Sequence, residues 1–242
     1  HLIKNIEKYA KEEGVTFTAK ECPEISDKIT GIENFVQSGC DVIICHVTDA
    51  DALKDAATSA EDAGVRFISY DSDIDGTSGF IGIDNHEYGY AIGKNAAEWI
   101  NDNFEELAPN ANVEVTAKAG YTPEGVDVGD AWVQSNKDLN VVVGINDAGV
   151  LGVYESFKSA GIKNDKLGMF GGDAVDDALA AIEEGGAFKA TVSTNMLKNA
   201  NYFIDMAVEL AKNGKLEERE KLFPLEGITA DNVAEYKKSI EE

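Results

Sequence analysis

The sequence predicts an α/β protein built on parallel sheets. Three observations carry this. Short β-branched and aromatic runs alternate with amphipathic helical segments along the whole chain. The helical segments reach about ten residues or more, enough to carry the chain back across a sheet. A short polar residue recurs where a strand hands over to a helix. Strands joined through helices pair in parallel, with the crossovers packed on the sheet faces.

Leu2, Ile6, Tyr9 and Ala10 recur at helical spacing, and Gly14 is a stop. Ile25, Ile29, Ile32 and Val36 form a second stripe, closed by Gly39. Asp41-Val42-Ile43-Ile44-Cys45 reads as a strand buried on both faces. Ala52, Leu53, Ala56, Ala60 and Ala63 make the next helix, ended by Gly64. Val65 to Tyr70 is a strand and Phe80 to Ile83 a shorter one. From Glu87 to Phe104 a long helix buries Tyr88, Ala91, Ile92, Ala96, Trp99 and Ile100. Val113 to Ala117 is a strand, and Val128, Ala131, Trp132 and Ser135 mark a helix. Val141 to Ile145 is a strand, followed by a helix that turns Leu151, Tyr154 and Phe157 inward and stops at Gly161. Leu167 to Gly171 is a strand, with Ala178, Leu179 and Ile182 on its helix. Phe188 to Ser193 is a strand, and Asn199 to Asn213 a long helix burying Phe203, Ile204, Ala207 and Leu210.

The 242 residues suffice for one large domain or for two lobes of about 100–120 residues each. Only four prolines occur and no low-complexity linker, so any lobes are joined by short crossovers. The formal charge is −24, from 21 Lys and Arg against 45 Asp and Glu. Such a chain repels phosphate backbones and anionic membrane surfaces, which argues against nucleic-acid binding. Cys22, Cys40 and Cys45 are odd in number and form no CxxC pair. Cys40, Cys45 and His46 lack metal-ligand spacing and a fourth ligand. No GxGxxG follows a strand, and no phosphate-binding GxxxxGK loop exists. With three histidines and no nucleophile elbow, the chain is expected to be no enzyme and to need no cofactor or metal.

In open parallel sheets, ligands bind beyond the carboxyl ends of the strands. Asp71 ends one strand, Asn146-Asp147 another, Asp173 follows a third, and Thr194-Asn195 ends a fourth. Each is also a residue type favoured as a helix N-cap, which is the competing reading at every one of these positions. Four such ends in one chain favour a shared polar pocket. Tyr121, in the Gly-rich turn Ala119-Gly120-Tyr121-Thr122-Pro123, is an aromatic candidate to cover a ligand face, whereas Trp132 sits in a helical stripe and reads as core.

Read together, these pieces resemble the type I periplasmic binding proteins of ribose, galactose and related sugar importers. The resemblance rests on Gly39-Cys40-Asp41-Val42-Ile43-Ile44, Thr48-Asp49-Ala50-Asp51-Ala52-Leu53 and Ala63-Gly64-Val65-Arg66-Phe67-Ile68-Ser69-Tyr70-Asp71. It continues through Gly82-Ile83-Asp84-Asn85 with Gly89 and Gly93, Asn146-Asp147-Ala148-Gly149-Val150-Leu151-Gly152, and Gly171-Gly172-Asp173. Lys189-Ala190-Thr191-Val192 and the tail Gly227-Ile228-Thr229-Ala230-Asp231-Asn232-Val233 complete it.

The resemblance implies two doubly wound parallel-sheet lobes joined by a hinge, with a sugar closed between them. It assigns residues 1–85 and 195–224 to the N-terminal lobe, and 86–194 and 225–242 to the C-terminal lobe. Asp71 matches the acidic residue that bonds sugar hydroxyls from the first lobe; Asn146 and Asp173 match the amide and carboxylate of the second. Thr194 stands where a Gln is common, and Ser72 where ribose-type members carry Arg, which argues against a plain ribose protein. The resemblance further implies a monomeric extracytoplasmic receptor, periplasmic or lipid-anchored, that serves a membrane permease of an ABC importer.

The family's first strand would precede His1, so the native start is expected upstream. A strand, turn and helix with a ligand-binding Arg would fall between the Glu87–Phe104 helix and Pro109. Their absence leads us to expect a break in the chain between Asn103 and Leu107, read as a Cα spacing far above the ~3.8 Å of a peptide link. The alternative within the same fold is the effector domain of a LacI-type repressor, which would need a basic helix-turn-helix ahead of this region.

Overall fold

A computed structural model describes residues 1–104, 122–136, 139–162 and 166–241. The expected strand Val113–Ala117, the candidate Tyr121 and the expected break at Asn103–Leu107 lie outside these residues or run into their edge. In chain order the elements are α1 (Leu2–Glu12), α2 (Ile25–Ser38), β1 (Val42–Val47), α3 (Ala50–Asp62), β2 (Arg66–Asp71), β3 (Gly79–Gly82), α4 (Asn85–Asn103) and α5 (Thr122–Ser135). They continue with β4 (Val141–Val143), α6 (Asp147–Ser159), β5 (Gly168–Phe170), α7 (Asp176–Glu183), β6 (Phe188–Ser193), α8 (Asn201–Asn213), β7 (Glu220–Leu222), β8 (Glu226–Thr229) and α9 (Val233–Glu241).

The chain divides into two compact units. Unit 1 comprises His1–Asp84 and Asn195–Pro224; unit 2 comprises Asn85–Thr194 and Leu225–Glu242. The chain therefore passes from one unit to the other three times.

Unit 1 carries an all-parallel sheet in the order β1-β2-β3-β7. Its two faces feed separate clusters. Ile43, Cys45, Val47 and Phe67 pack with Ile32 of α2 and with Leu53, Ala57 and Ala60 of α3. Ile68 and Ile81 pack with Ile6 and Ala10 of α1 and with Phe203, Ile204 and Leu210 of α8. The strand expected to be buried on both faces is less uniform than that. Along β1, Ile43, Cys45 and Val47 are buried, Val42 and Ile44 are half-buried, and His46 is exposed. β1 is an edge strand that pairs only with β2 among the described residues. A cavity of about 770 Å³ runs beside its N-terminal half, between Thr16, Phe17, Phe35, Val42, Ile44 and Val208.

Unit 2 holds the order β4-β5-β6-β8, with β8 antiparallel to β6. Met169, Phe188 and Val142 meet Val150, Val153 and Phe157 of α6, Leu179 and Ile182 of α7, and Tyr236 of α9. On the opposite face, α4 lays Trp99 against Phe170, ring centroids 5.9 Å apart. The Trp99 ring fills the space beside Gly168, where a Cβ would come within 2.8 Å of it. β4 ends at Val143, earlier than its apolar run; Ile145 is 75% exposed. Its turn instead belongs to the polar edge described next.

Candidate functional site

The polar strand ends divide between the units. In unit 1, Asp71 closes β2 opposite Val47, the last residue of β1, so both strands end level. Its φ is 79°, in the left-handed region that L-residues rarely occupy. His46 Nε2 stands 3.5 Å from Asp71 Oδ2, and both side chains are about half exposed. The His46 ring lies 5.2 Å from that of Tyr70, which in turn meets Phe203 edge-on. The loop after Asp71 is tied down from beneath. Arg219 forks onto both oxygens of Asp73 at 2.7 and 2.8 Å and also donates to the carbonyls of Ile74 and Thr77. The guanidinium holds the Asp73 carboxyl below the usual carboxylate range.

In unit 2, three candidates occupy the ends of neighbouring strands. The backbone joins them: Asp147 N–H donates to Gly172 C=O at 2.6 Å, and Asp173 N–H to Val192 C=O at 2.8 Å. This brings the turns after β4, β5 and β6, and with them Asn146, Asp173 and Thr194, onto one edge of the sheet. Asp173 has φ 100° and Ala174 φ 54°. The Tyr88 hydroxyl, from the first turn of α4, donates to Asp173 Oδ1 at 2.8 Å.

The capping alternative holds for one candidate and fails for three. Asn146 is the N-cap of α6, its Oδ1 accepting from Gly149 N–H at 3.0 Å. Asp71 begins a loop rather than a helix, and the N-cap of α7 is Val175, not Asp173. Thr194 is half-buried and caps nothing, since α8 is preceded by Ala200. Two aspartates at strand ends, neither capping a helix and both in a costly backbone conformation, are the strongest candidates for a ligand site. Such strain persists only where the surroundings over-determine it, and it concentrates at ligand sites.

Two buried groups stand behind this edge. Asp147 is fully buried as the first residue of α6. Its Oδ2 accepts from Thr191 Oγ1 at 2.9 Å and from Val175 N–H at 3.1 Å, while Oδ1 finds no partner among the described residues. Burial pushes this carboxyl up to about 7, against the lowering effect of those hydrogen bonds. Tyr88 was expected only as part of a buried helical face; its hydroxyl is what the periodicity could not show. The glycine pair Gly171-Gly172 before Asp173 was the available signal. A Cβ at Gly171 would come within 2.4 Å of Asp147 Oδ1, and one at Gly172 within 2.0 Å of the Tyr88 oxygen.

Among the described residues, no group of three His, Cys, Asp or Glu is placed to hold a metal, and no helix is long and apolar enough to cross a membrane. The Cys45 thiol, buried beneath β1, is pushed up to about 11, which removes it from nucleophilic chemistry at neutral pH.

The chain is similar in sequence and in fold to known proteins. A protein of Rhizobium meliloti named for rhizopine binding is 25% identical over 272 residues, covering 97% of this chain and 87% of its own. The ribose import binding protein of Bacillus subtilis is 27% identical over 213 residues, covering 76% of this chain and 68% of its own. Among solved structures, a solute-binding protein of an Actinobacillus succinogenes ABC transporter with bound D-allose superposes with a TM-score of 0.84 at 19% identity, covering 97% of this chain and 94% of that one. One from Bacillus halodurans with bound myo-inositol gives 0.82 at 22% identity, covering 98% and 93%. The family described as a periplasmic binding protein domain matches residues 1–120 and 105–216, and the chain belongs to that family.

Proposed function

We propose that this chain is the solute receptor of an ABC importer, that its ligand is a neutral sugar or sugar-like polyol, and that it binds without catalysing a reaction. The observation that carries this is the pair of left-handed aspartates, Asp71 in unit 1 and Asp173 in unit 2, each at the carboxyl end of a parallel strand. A sugar hydroxyl both donates and accepts. Carboxylates accept strongly and an amide does both, so Asp71, Asp173 and Asn146 match a ring of hydroxyls. Thr194 supplies a shorter polar contact than the Gln common at its place. Tyr121, an aromatic in a Gly-rich turn of the sequence, is assigned to the apolar face of the sugar. The names of the relatives and the ligands held by the similar structures, ribose, D-allose and myo-inositol, support the same reading. The partner follows from it: a membrane permease on the outer side of the cytoplasmic membrane, met by a monomeric receptor with an acidic surface.

Thermal-shift and calorimetric titration with D-ribose, D-xylose, D-allose and myo-inositol tests this. A ligand at 100 times its dissociation constant adds about 2.7 kcal/mol to stability. Asp173→Asn and Asp71→Asn are expected to weaken binding by about tenfold to a hundredfold, the equivalent of one charge-assisted hydrogen bond of about 1.5–3 kcal/mol. A folded chain that shifts with none of a broad panel of neutral sugars and polyols, or two variants that both bind like the parent, would overturn the assignment.

A further inference from the structure

We propose that Tyr88 is a positioning residue of the ligand site, holding the Asp173 carboxylate in the orientation that meets a ligand hydroxyl. This rests on the assignment of Asp173 to the site and adds a residue to it.

The argument starts from burial. Tyr88 is 6% exposed, so its hydroxyl has little access to water and must find a partner inside the protein. It finds Asp173 Oδ1 at 2.8 Å, a charge-assisted bond from a neutral donor. Burial and the neighbouring Asp173 charge push the phenol up from its ordinary range, so it stays protonated and remains a donor.

The second point is space. The Tyr88 oxygen lies where a side chain at position 172 would begin: a Cβ there would be 2.0 Å from the oxygen and 2.6 Å from the ring carbon that bears it. Gly172 is thus required by the phenol and not by its own dihedral angles, since it is absent from the positive-φ glycines. The local sequence is built around this contact.

The third point is strain. Asp173 holds φ 100°, a region an aspartate leaves when nothing detains it. Its N–H on Val192 C=O and its carboxylate on Tyr88 both detain it there. The ligand then meets a carboxylate whose rotamer is already fixed, which removes part of the ordering cost of binding. A tyrosine that merely filled the core would need no hydroxyl at this position.

The test uses the full chain with D-ribose, D-allose and myo-inositol as probes, in four forms: parent, Tyr88→Phe, Asp173→Ala and the double variant. Tyr88→Phe keeps the ring and its packing, so the ligand-free protein should melt in one cooperative transition. We expect Tyr88→Phe to weaken binding about tenfold in the parent and less than about twofold in the Asp173→Ala background, because the hydroxyl acts only through that carboxylate. Equal losses in both backgrounds would assign Tyr88 to general packing and overturn the proposal, as would parent-like affinity of Tyr88→Phe. If instead Asp173→Ala binds every probe like the parent, the site assignment itself fails, and this proposal falls with it.

Discussion

Replacing Asp147 by Asn should flatten part of the pH dependence of stability, because Asp147 is a carboxyl the fold prefers uncharged. It is 0% exposed, one of its oxygens has no partner among the described residues, and burial pushes it up to about 7 from an ordinary 3.8. The folded value lies above the unfolded one, which fixes the sign. Below about pH 4 both states hold the proton, and the folded chain enjoys the full benefit of a neutral buried acid. As pH rises from about 4 to about 7 the unfolded chain sheds its proton while the folded one keeps it, and stability is lost; above about 7 the loss levels off. The gap between 3.8 and about 7, at about 1.36 kcal/mol per pH unit, corresponds to about 4 kcal/mol. With many other carboxylates titrating in the same range, the informative quantity is the difference between the parent and Asp147→Asn. Urea denaturation at half-unit steps from pH 4 to pH 8, followed by circular dichroism, gives both curves. The asparagine can still accept from Thr191 and Val175, so its own cost is independent of pH. The parent should lose about 4 kcal/mol relative to the variant across that window. Parallel curves would show that Asp147 is ionised throughout, and would refute the claim that burial dominates its surroundings.

Other perturbations follow from close contacts. Gly125 on α5 faces α6 so closely that a Cβ would lie 2.0 Å from Gly149 C=O, a backbone atom that no rotamer can move. Gly125→Ala should therefore cost about 1–3 kcal/mol in urea melts, by forcing the helix pair apart. Asp73→Asn weakens the Arg219 fork. The pair is only partly buried, so the loss at pH 7 should be about 1 kcal/mol, discounted for solvent. Because the Asp73 carboxyl is held below its ordinary value, that contribution is present above about pH 4. It disappears as pH falls further and the carboxylate takes up its proton, so parent and variant should converge in acid.

Much of the fold was legible because burial writes itself as periodicity. The stripes of α2, α3 and α8 each face a named cluster. The short strand β7 escaped notice for the converse reason. Glu220, Lys221 and Leu222 are all exposed, and β7 owes its place to pairing with β3 rather than to any apolar face of its own. The site was legible as polar residues at strand ends, but not in its mechanics. Asn146 turned out to cap a helix, which its residue type allowed from the start. Nothing in the letters of Asp71 or Asp173 announces a positive φ, since conformational strain is a property of the surroundings that impose it. The Tyr88 hydroxyl was hidden in a helical stripe whose spacing explains its ring and says nothing about its oxygen.

The interrupted layout of unit 1 has a consequence for biosynthesis. Its segments span residues 1–84 and 195–224, with most of unit 2 translated between them. Until the second segment emerges, the nascent chain lacks Phe203, Ile204, Leu210 and Phe223, which line one face of its sheet, and β3 lacks the neighbour that closes its edge. At about 5–20 residues per second, the ribosome leaves that edge and that apolar face uncovered for on the order of ten seconds. An uncovered strand edge is a template for pairing with other chains. Holding factors that bind extended apolar segments should therefore engage this polypeptide early, at its first eighty or so residues, and let go only when the last crossing has been made.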